Sequence, residues 1–322
     1  MHRWTDPTQT PADLRPCVAT FGNFDGVHLG HQAVLGALMT KGAELGLPAV
    51  AVTFDPHPVQ VMHPERAPQL IAPGVLRDEL LEEAGLDGLL VLDYTLEFAS
   101  QTAEEFIVST FVEGLGARAL VVGEDTKGFG AGYTGDVTLL RELGERHGFE
   151  VVALSDRGDD EADRWSSSLV REHLGAGEVE AAARILGRPH RVGGTIVHGH
   201  HRGRELGFPT ANLSQDSLGL VPADGVYAGW LVRLDLAADD PERRLPAAIS
   251  VGSNPTFHDV ERTVEAYVLD RTDLDLYGEQ VRIEFVAHIR PTLRFDSVDE
   301  LLVAIAKDVE QCRLVLAPTA SV

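Results

Sequence analysis

Two cysteines in 322 residues, Cys17 and Cys312, leave this chain without a disulfide framework and without any zinc-ligand spacing. Cys17 falls in an apolar stretch, where a thiol behaves as a small hydrophobe, and is expected to be buried and inert. Long hydrophobic runs are also missing. Nothing approaches the ~18 uninterrupted apolar residues of a membrane span, and the opening Met1-His2-Arg3-Trp4-Thr5-Asp6 has no apolar segment of the secretory kind. Basic charge is the third shortage: 27 Lys and Arg stand against 50 Asp and Glu, a formal net charge of −23. That sign argues against a nucleic-acid or anionic-membrane partner. It still allows small anionic ligands, because a few local cations with Mg²⁺ can hold a nucleotide in an acidic protein. Internal repeats and low-complexity tracts are absent. The expectation is a cytoplasmic protein whose partners are small molecules.

What is present is the composition of a folded chain, 44% hydrophobic and 24% charged, long enough for two domains of ~100–200 residues each. The first half alternates continuously apolar segments (16–21, 49–54, 88–93, 119–123, 150–154) with helical patterns (32–44, 76–84, 104–115, 137–147). Thr102 and Glu105 form a capping-box signature at one helix start. Apolar strands separated by helices imply an α/β unit with a parallel sheet covered on both faces. An acidic run at 156–163 reads as a solvated loop, and helical patterns follow to about residue 186. Beyond it the character changes to short strands alternating with charge (192–197, 226–236, 247–251, 263–269, 280–288), which suggest an antiparallel barrel or sandwich. A last helical period spans 297–314.

The run Thr20-Phe21-Gly22-Asn23-Phe24-Asp25-Gly26-Val27-His28-Leu29-Gly30-His31 carries the strongest chemistry of the first half. Strand, glycine-rich turn and helix start is the geometry that aims backbone N–H groups and a helix dipole at phosphate. His28 and His31, three apart, can lie on one side of the first turn, where imidazoles donate to phosphate oxygens as charge builds in a transition state. Such a pair is commonly two unrelated surface histidines; the glycine context favours phosphate handling. Thr53-Phe54-Asp55-Pro56-His57-Pro58 holds a histidine between prolines in a rigid loop, and reads equally well as an ordinary turn. Val122-Gly123-Glu124-Asp125-Thr126-Lys127-Gly128-Phe129-Gly130 is a third loop after a strand, and does not match GxxxxGK[ST]. Ligands on parallel sheets bind at the carboxyl ends of strands, so these three loops are expected to converge on one rim. Ser166-Ser167-Ser168-Leu169-Val170-Arg171 sets hydroxyls at a helix start with an arginine one turn later, a weak pattern alone that suits a polyphosphate.

In the second half, Gly203-Arg204-Glu205-Leu206-Gly207-Phe208-Pro209-Thr210-Ala211-Asn212 places a hydroxyl and an amide oxygen two apart. On an extended chain both point the same way and can reach one Mg²⁺; alone, this is equally a polar strand end. It is followed in order by Gly225-Val226-Tyr227-Ala228, Ser250-Val251-Gly252-Ser253-Asn254-Pro255-Thr256, Val264-Glu265-Ala266-Tyr267 and Leu276-Tyr277-Gly278.

Together these motifs resemble the prokaryotic family of bifunctional riboflavin kinase/FAD synthetases along nearly the whole chain. The resemblance implies a Rossmann-like nucleotidyltransferase domain over 1–186 that adenylylates FMN to FAD with release of pyrophosphate. It further implies a β-barrel riboflavin kinase domain with a terminal helix over 187–322 that phosphorylates riboflavin to FMN. ATP would serve both reactions as substrate, with Mg²⁺, and the flavins would be substrates and products. By the same resemblance His28 and His31 steady phosphates, and Ser167, Ser168 and Arg171 hold the departing pyrophosphate. Gly22, Asn23, Phe24 and Asp25 line the nucleotide, and Phe54, His57, Pro58 and Asp125 the flavin. Thr210 and Asn212 bind Mg²⁺ with ATP beside Gly207, and Glu265 is the base for the ribityl hydroxyl. Three departures stand out. The loop at 125–130 lacks the family's first aromatic and is one residue longer, His200 replaces a common aspartate, and Tyr267 replaces a common histidine. The first leaves a second reading open: a kinase whose first domain uses another nucleotide or flavin analogue, or only binds flavin as a regulator.

Overall fold

A computed structural model describes residues 1–155, 165–199, 207–253 and 262–317. The acidic run at 156–163, His200 with the start of the following glycine motif, and residues 254–256 lie outside the described residues. The chain divides into two compact units, one of Met1–Gln69 with Gly74–Trp165, the other of Leu70–Pro73 with Ser166–Val322.

The first unit opens with β1 (His2–Trp4), β2 (Val18–Phe21), α1 (Leu29–Leu45), β3 (Ala49–Asp55), α2 (Pro58–Met62), α3 (Val75–Glu83) and β4 (Gly88–Asp93). It continues with α4 (Leu96–Ala99), α5 (Ala103–Phe106), β5 (Ala119–Gly123), a hairpin of β6 (Lys127–Phe129) and β7 (Gly135–Asp136), α6 (Val137–His147) and β8 (Glu150–Leu154). Six strands form one parallel sheet in the order β1-β4-β3-β2-β5-β8. The first five residues of β3 and of β4 are buried, as a sheet covered on both faces requires. Helix α1 starts on His28 and ends on Gly46 in the left-handed conformation (φ 64°). Gly42 lets it lie close, since a Cβ there would stand 2.8 Å from the Leu47 carbonyl oxygen. The capping box at Thr102 and Glu105 is present. The helix it opens widens after four residues into π-helical turns over Ile107–Gly114, where a single α-helix was expected. The edge strand β1 and the β6–β7 hairpin were not foreseen.

The second unit begins with α7 (Ser167–Ala176) and α8 (Val179–Leu186). Both join the barrel through hydrogen bonds: Ala223 N–H donates to the Leu174 carbonyl oxygen (2.8 Å) and His288 N–H to the Glu180 side chain, at Oε1 (3.0 Å). The barrel is closed, in the order β10-β13-β12-β11-β14-β9, from β9 (His190–Val197), β10 (Ala211–Leu213), β11 (Gly225–Arg233), β12 (Arg244–Ser253), β13 (Arg262–Val268) and β14 (Gln280–Arg290). Closure removes the free edges an open antiparallel sheet would leave. Its interior is filled by Tyr227, Ile249, Val251 and Phe285, all fully buried. At Gly229, beside a register shift between β11 and β14, a Cβ would meet the Glu284 carbonyl oxygen, so only glycine fits. The terminal α9 (Val298–Leu316) lays Val309, Cys312 and Leu316 on Ala228 and Leu269. Asp308 anchors it through a two-pronged contact with Arg290 (2.7–3.1 Å). Cys17 and Cys312 are both buried, and burial pushes each thiol up to about 12.

Candidate active sites

The first unit holds a cavity of about 520 Å³ at the carboxyl ends of β2, β3 and β5. Strand β2 lies between β3 and β5, so this is where the strand order reverses, the place an open parallel sheet offers to a ligand. Gly22 and Asn23 after β2, Phe54 at the end of β3 with Pro58 after it, and Asp125 to Gly130 after β5 all line it, so the three loops share one rim. The turn between β2 and α1 is built on strained backbone: Phe24 (φ 50°) and Val27 (φ 41°) are left-handed without being glycine, a conformation costing roughly 1–3 kcal/mol each. Both side chains are buried, which holds the turn.

That turn sets the histidines. His28 caps α1, its Nδ1 accepting the His31 N–H at 3.4 Å, which leaves Nε2 to carry the proton. The two rings stack with centroids 3.7 Å apart, and Phe24 meets His31 edge-on at 5.3 Å. Gly30 keeps the space for this, since a Cβ there would come within 3.1 Å of the His28 ring and 3.9 Å of Trp165. Burial, reinforced by His28, holds the His31 imidazole well below its usual range, so it is neutral at pH 7. Its Nδ1 is buried without a hydrogen-bond partner among the described residues.

Of the residues singled out in this unit, Gly22, Asn23, His31, Phe54, Pro58 and Asp125 line the cavity. Phe24 and His28 act on it through the His31 ring, Asp25 is buried in the turn, and His57 caps α2 by accepting the Val59 N–H at 3.2 Å. Sequence reasoning missed the aromatic wall. Tyr94 and Phe98 pack around Phe54 at 5.6 and 6.0 Å, from positions that no local spacing connects to the motifs. Ser167, Ser168 and Arg171 lie on α7 in the second unit, and it is Ser166 that caps this helix by accepting the Leu169 N–H at 3.2 Å.

In the barrel, a cavity of about 210 Å³ is lined by Thr210, Asn212 and the segment 271–277. Thr210 Oγ1 donates to Glu265 Oε2 at 3.1 Å, and Asn212 stands directly opposite Glu265 across the β10–β13 pair. A hydroxyl, an amide and a carboxylate far apart in sequence thus meet at one strand pair. Gly199 adjoins them so closely that a Cβ would strike Asn212 Nδ2. The lining segment is braced by Arg271, which pairs with Glu242 (2.6 Å) and Asp273 (2.7 Å); neither contact was legible beforehand. Gly207 is left-handed (φ 85°) just ahead of this strand. Among the described residues no group of three His, Cys, Asp or Glu could hold a metal. The oxygen donors of Thr210 and Asn212 instead suit Mg²⁺, which retains water and substrate phosphates in its shell.

Residues 10–169 match the family model for FAD synthetase, and residues 186–316 match the one for riboflavin kinase. A protein of Escherichia coli (strain K12) named bifunctional riboflavin kinase/FMN adenylyltransferase is 36% identical over 294 residues, 91% of this chain and 90% of its own. One of the same name from Pseudomonas fluorescens is 38% identical over 314 residues, 96% and 97% of the two chains. A solved structure named as a macrolide-efflux protein of Streptococcus pneumoniae superposes with a TM-score of 0.84 at 30% identity, over 97% of this chain and 98% of that one. Among the described residues of this chain no helix is long and apolar enough to cross a membrane. With its two halves matched in order and more than a third of its residues shared over nine-tenths of its length, the chain belongs to the bifunctional riboflavin kinase/FMN adenylyltransferase family.

Proposed function

We propose that this protein phosphorylates riboflavin to FMN with MgATP in its barrel and adenylylates FMN to FAD, releasing pyrophosphate, in its parallel-sheet unit. The observation that carries this reading is the presence of two separate cavities, each lined by its own motif, in the two halves that match the two families. We assign the adenylyltransferase to residues 1–186, the kinase to residues 187–322, and the enzyme to the cytoplasm.

In the kinase, Glu265 takes the proton of the ribityl hydroxyl as its oxygen bonds the γ-phosphorus of ATP and ADP leaves. The Thr210 hydroxyl, 3.1 Å from that carboxylate, orients it. Thr210 and Asn212, with Gly207 ahead of them, would hold Mg²⁺ and ATP, the metal supplying charge neutralisation on the phosphates. In the adenylyltransferase, a phosphate oxygen of FMN attacks the α-phosphorus of ATP without a covalent enzyme intermediate, so catalysis is positioning and charge stabilisation. His28 and His31 donate to the reacting phosphates. Gly22, Asn23, Phe24 and Asp25 shape the nucleotide side, and Phe54, His57, Pro58 and Asp125 the flavin side. Ser167, Ser168 and Arg171 take the pyrophosphate; the FAD synthetase match, which runs to residue 169, supports the two serines.

The test is a product assay with riboflavin, ATP and Mg²⁺, resolved by chromatography with pyrophosphate followed in parallel. FMN followed by FAD is the expected result. FMN alone would favour the second reading, a first unit that takes another nucleotide or flavin analogue or only binds flavin. The observation behind that reading is the loop at 125–130, which departs from the family's pattern and lines the cavity.

A further inference from the structure

Riboflavin and FMN differ by one phosphate, and a site that adenylylates one must refuse the other. Resting on the adenylyltransferase reading, we propose that Lys127 makes this distinction by binding the phosphate monoester of FMN in the cavity of the first unit. The monoester carries close to two negative charges at pH 7, whereas riboflavin ends in a neutral hydroxyl. Among the described residues, three side chains that can be cationic line that cavity: His31, His63 and Lys127. His31 is held neutral by burial and by His28. His63 leans on Glu65 at 3.8 Å. Lys127 has no ion-pair partner among the described residues.

The carboxylate that faces Lys127 across the hairpin is otherwise engaged. Asp136, opposite Lys127 across the hairpin, caps α6, its Oδ1 accepting the Leu139 N–H at 2.8 Å. Asp125 folds back on the strand end, its Oδ1 standing 2.7 Å from where a Cβ on Gly123 would be. The hairpin itself is firmly seated. Phe129 packs edge-on against Phe21 at 5.2 Å, and Ala131 N–H donates to Gln101 O at 2.7 Å. Gly130 (φ 72°) approaches Ala103 so closely that a Cβ would strike its backbone nitrogen. A lysine on such a support presents a point charge beside an aromatic cavity, the pairing that a planar ring with a charged tail requires.

Wild type, Lys127→Met and Lys127→Arg full-length proteins are assayed for FAD formation with FMN and ATP varied separately. The competitor is 5′-deoxyriboflavin, a neutral flavin that lacks the terminal 5′-hydroxyl the kinase phosphorylates. The KM for ATP in FAD formation and inhibition by the neutral flavin report that the first unit is folded. Lys127→Met is expected to raise KM for FMN about tenfold or more, as loss of a charge-assisted contact does. KM for ATP and inhibition by the neutral flavin stay unchanged, and Lys127→Arg recovers most of the loss. Equal weakening of FMN and the neutral flavin would overturn the proposal in favour of a role in shaping the ring pocket. A rise in KM for ATP alone would overturn it in favour of the nucleotide. Wild type that forms no FAD from FMN would overturn the adenylyltransferase reading itself, a result independent of any variant.

Discussion

The unpartnered Nδ1 of His31 is costly for the fold, about 1–3 kcal/mol for a buried polar atom of this kind. A ligand's oxygen at the cavity would satisfy it, which is why the atom is worth testing by substitution. His31→Ala should lower FMN adenylylation about 100-fold or more while riboflavin phosphorylation persists and the melting temperature holds; a melt shifted down by many degrees would make the ring a packing element instead. His190 gives a pH prediction in the barrel. Burial pushes its imidazole down to about 4, and its Nε2 meets the Leu220 carbonyl oxygen at 2.6 Å. The unfolded chain would take up this proton near pH 6.5, so the buried neutral ring contributes stability in full above that value. The contribution is lost as pH falls toward 4, by about 3 kcal/mol at most. An NMR titration should find the His190 ring neutral down to below pH 5; a midpoint near 6.5 would contradict its burial.

The strands of the parallel sheet were legible because a doubly covered strand must be apolar along its length, and 49–54 and 119–123 are. Helix starts were legible where a cap announces them, as at Thr102. Strand β10 was read only as an extended stretch or polar strand end, because its three residues gain their place from β9 and β13 on either side. The π-helical turns after Phe106 have no signature that composition could reveal. Around β10 the fold makes a sharp demand on Gly199. The atom a new Cβ would strike is the end of the Asn212 side chain, which can swing away, so Gly199→Ala should cost little stability. It should instead displace the amide and raise KM for MgATP in the kinase reaction about tenfold, on the scale of one lost charge-assisted contact. Kinase kinetics beside a thermal melt check this; unchanged kinetics would remove Asn212 from nucleotide binding.

On the proposed reading the two chemistries use separate residue sets, and single substitutions should therefore separate them. Glu265→Gln should abolish FMN formation, by about 100-fold or more for loss of a general base, and leave FAD formation from supplied FMN intact. Chromatography of both products checks it, and a folded variant lacking both activities would refute two independent sites. The alternation of strands and helices in the first half, the two-part organisation and the short motifs that hold His28, His31, Thr210, Asn212 and Glu265 could be read from the sequence by itself, the roles of those residues being what the family resemblance implies. Each is a local property, carried by periodicity, a cap or a short run of residues. Only the tertiary structure decided that Thr210 and Glu265, 55 positions apart, share a hydrogen bond, that His31 is neutral, and that Tyr94, Phe98 and Lys127 join the motif loops around one cavity. Those outcomes depend on strand pairing, burial and the point where the sheet reverses its order, and such long-range contacts leave no trace in the spacing of neighbouring residues.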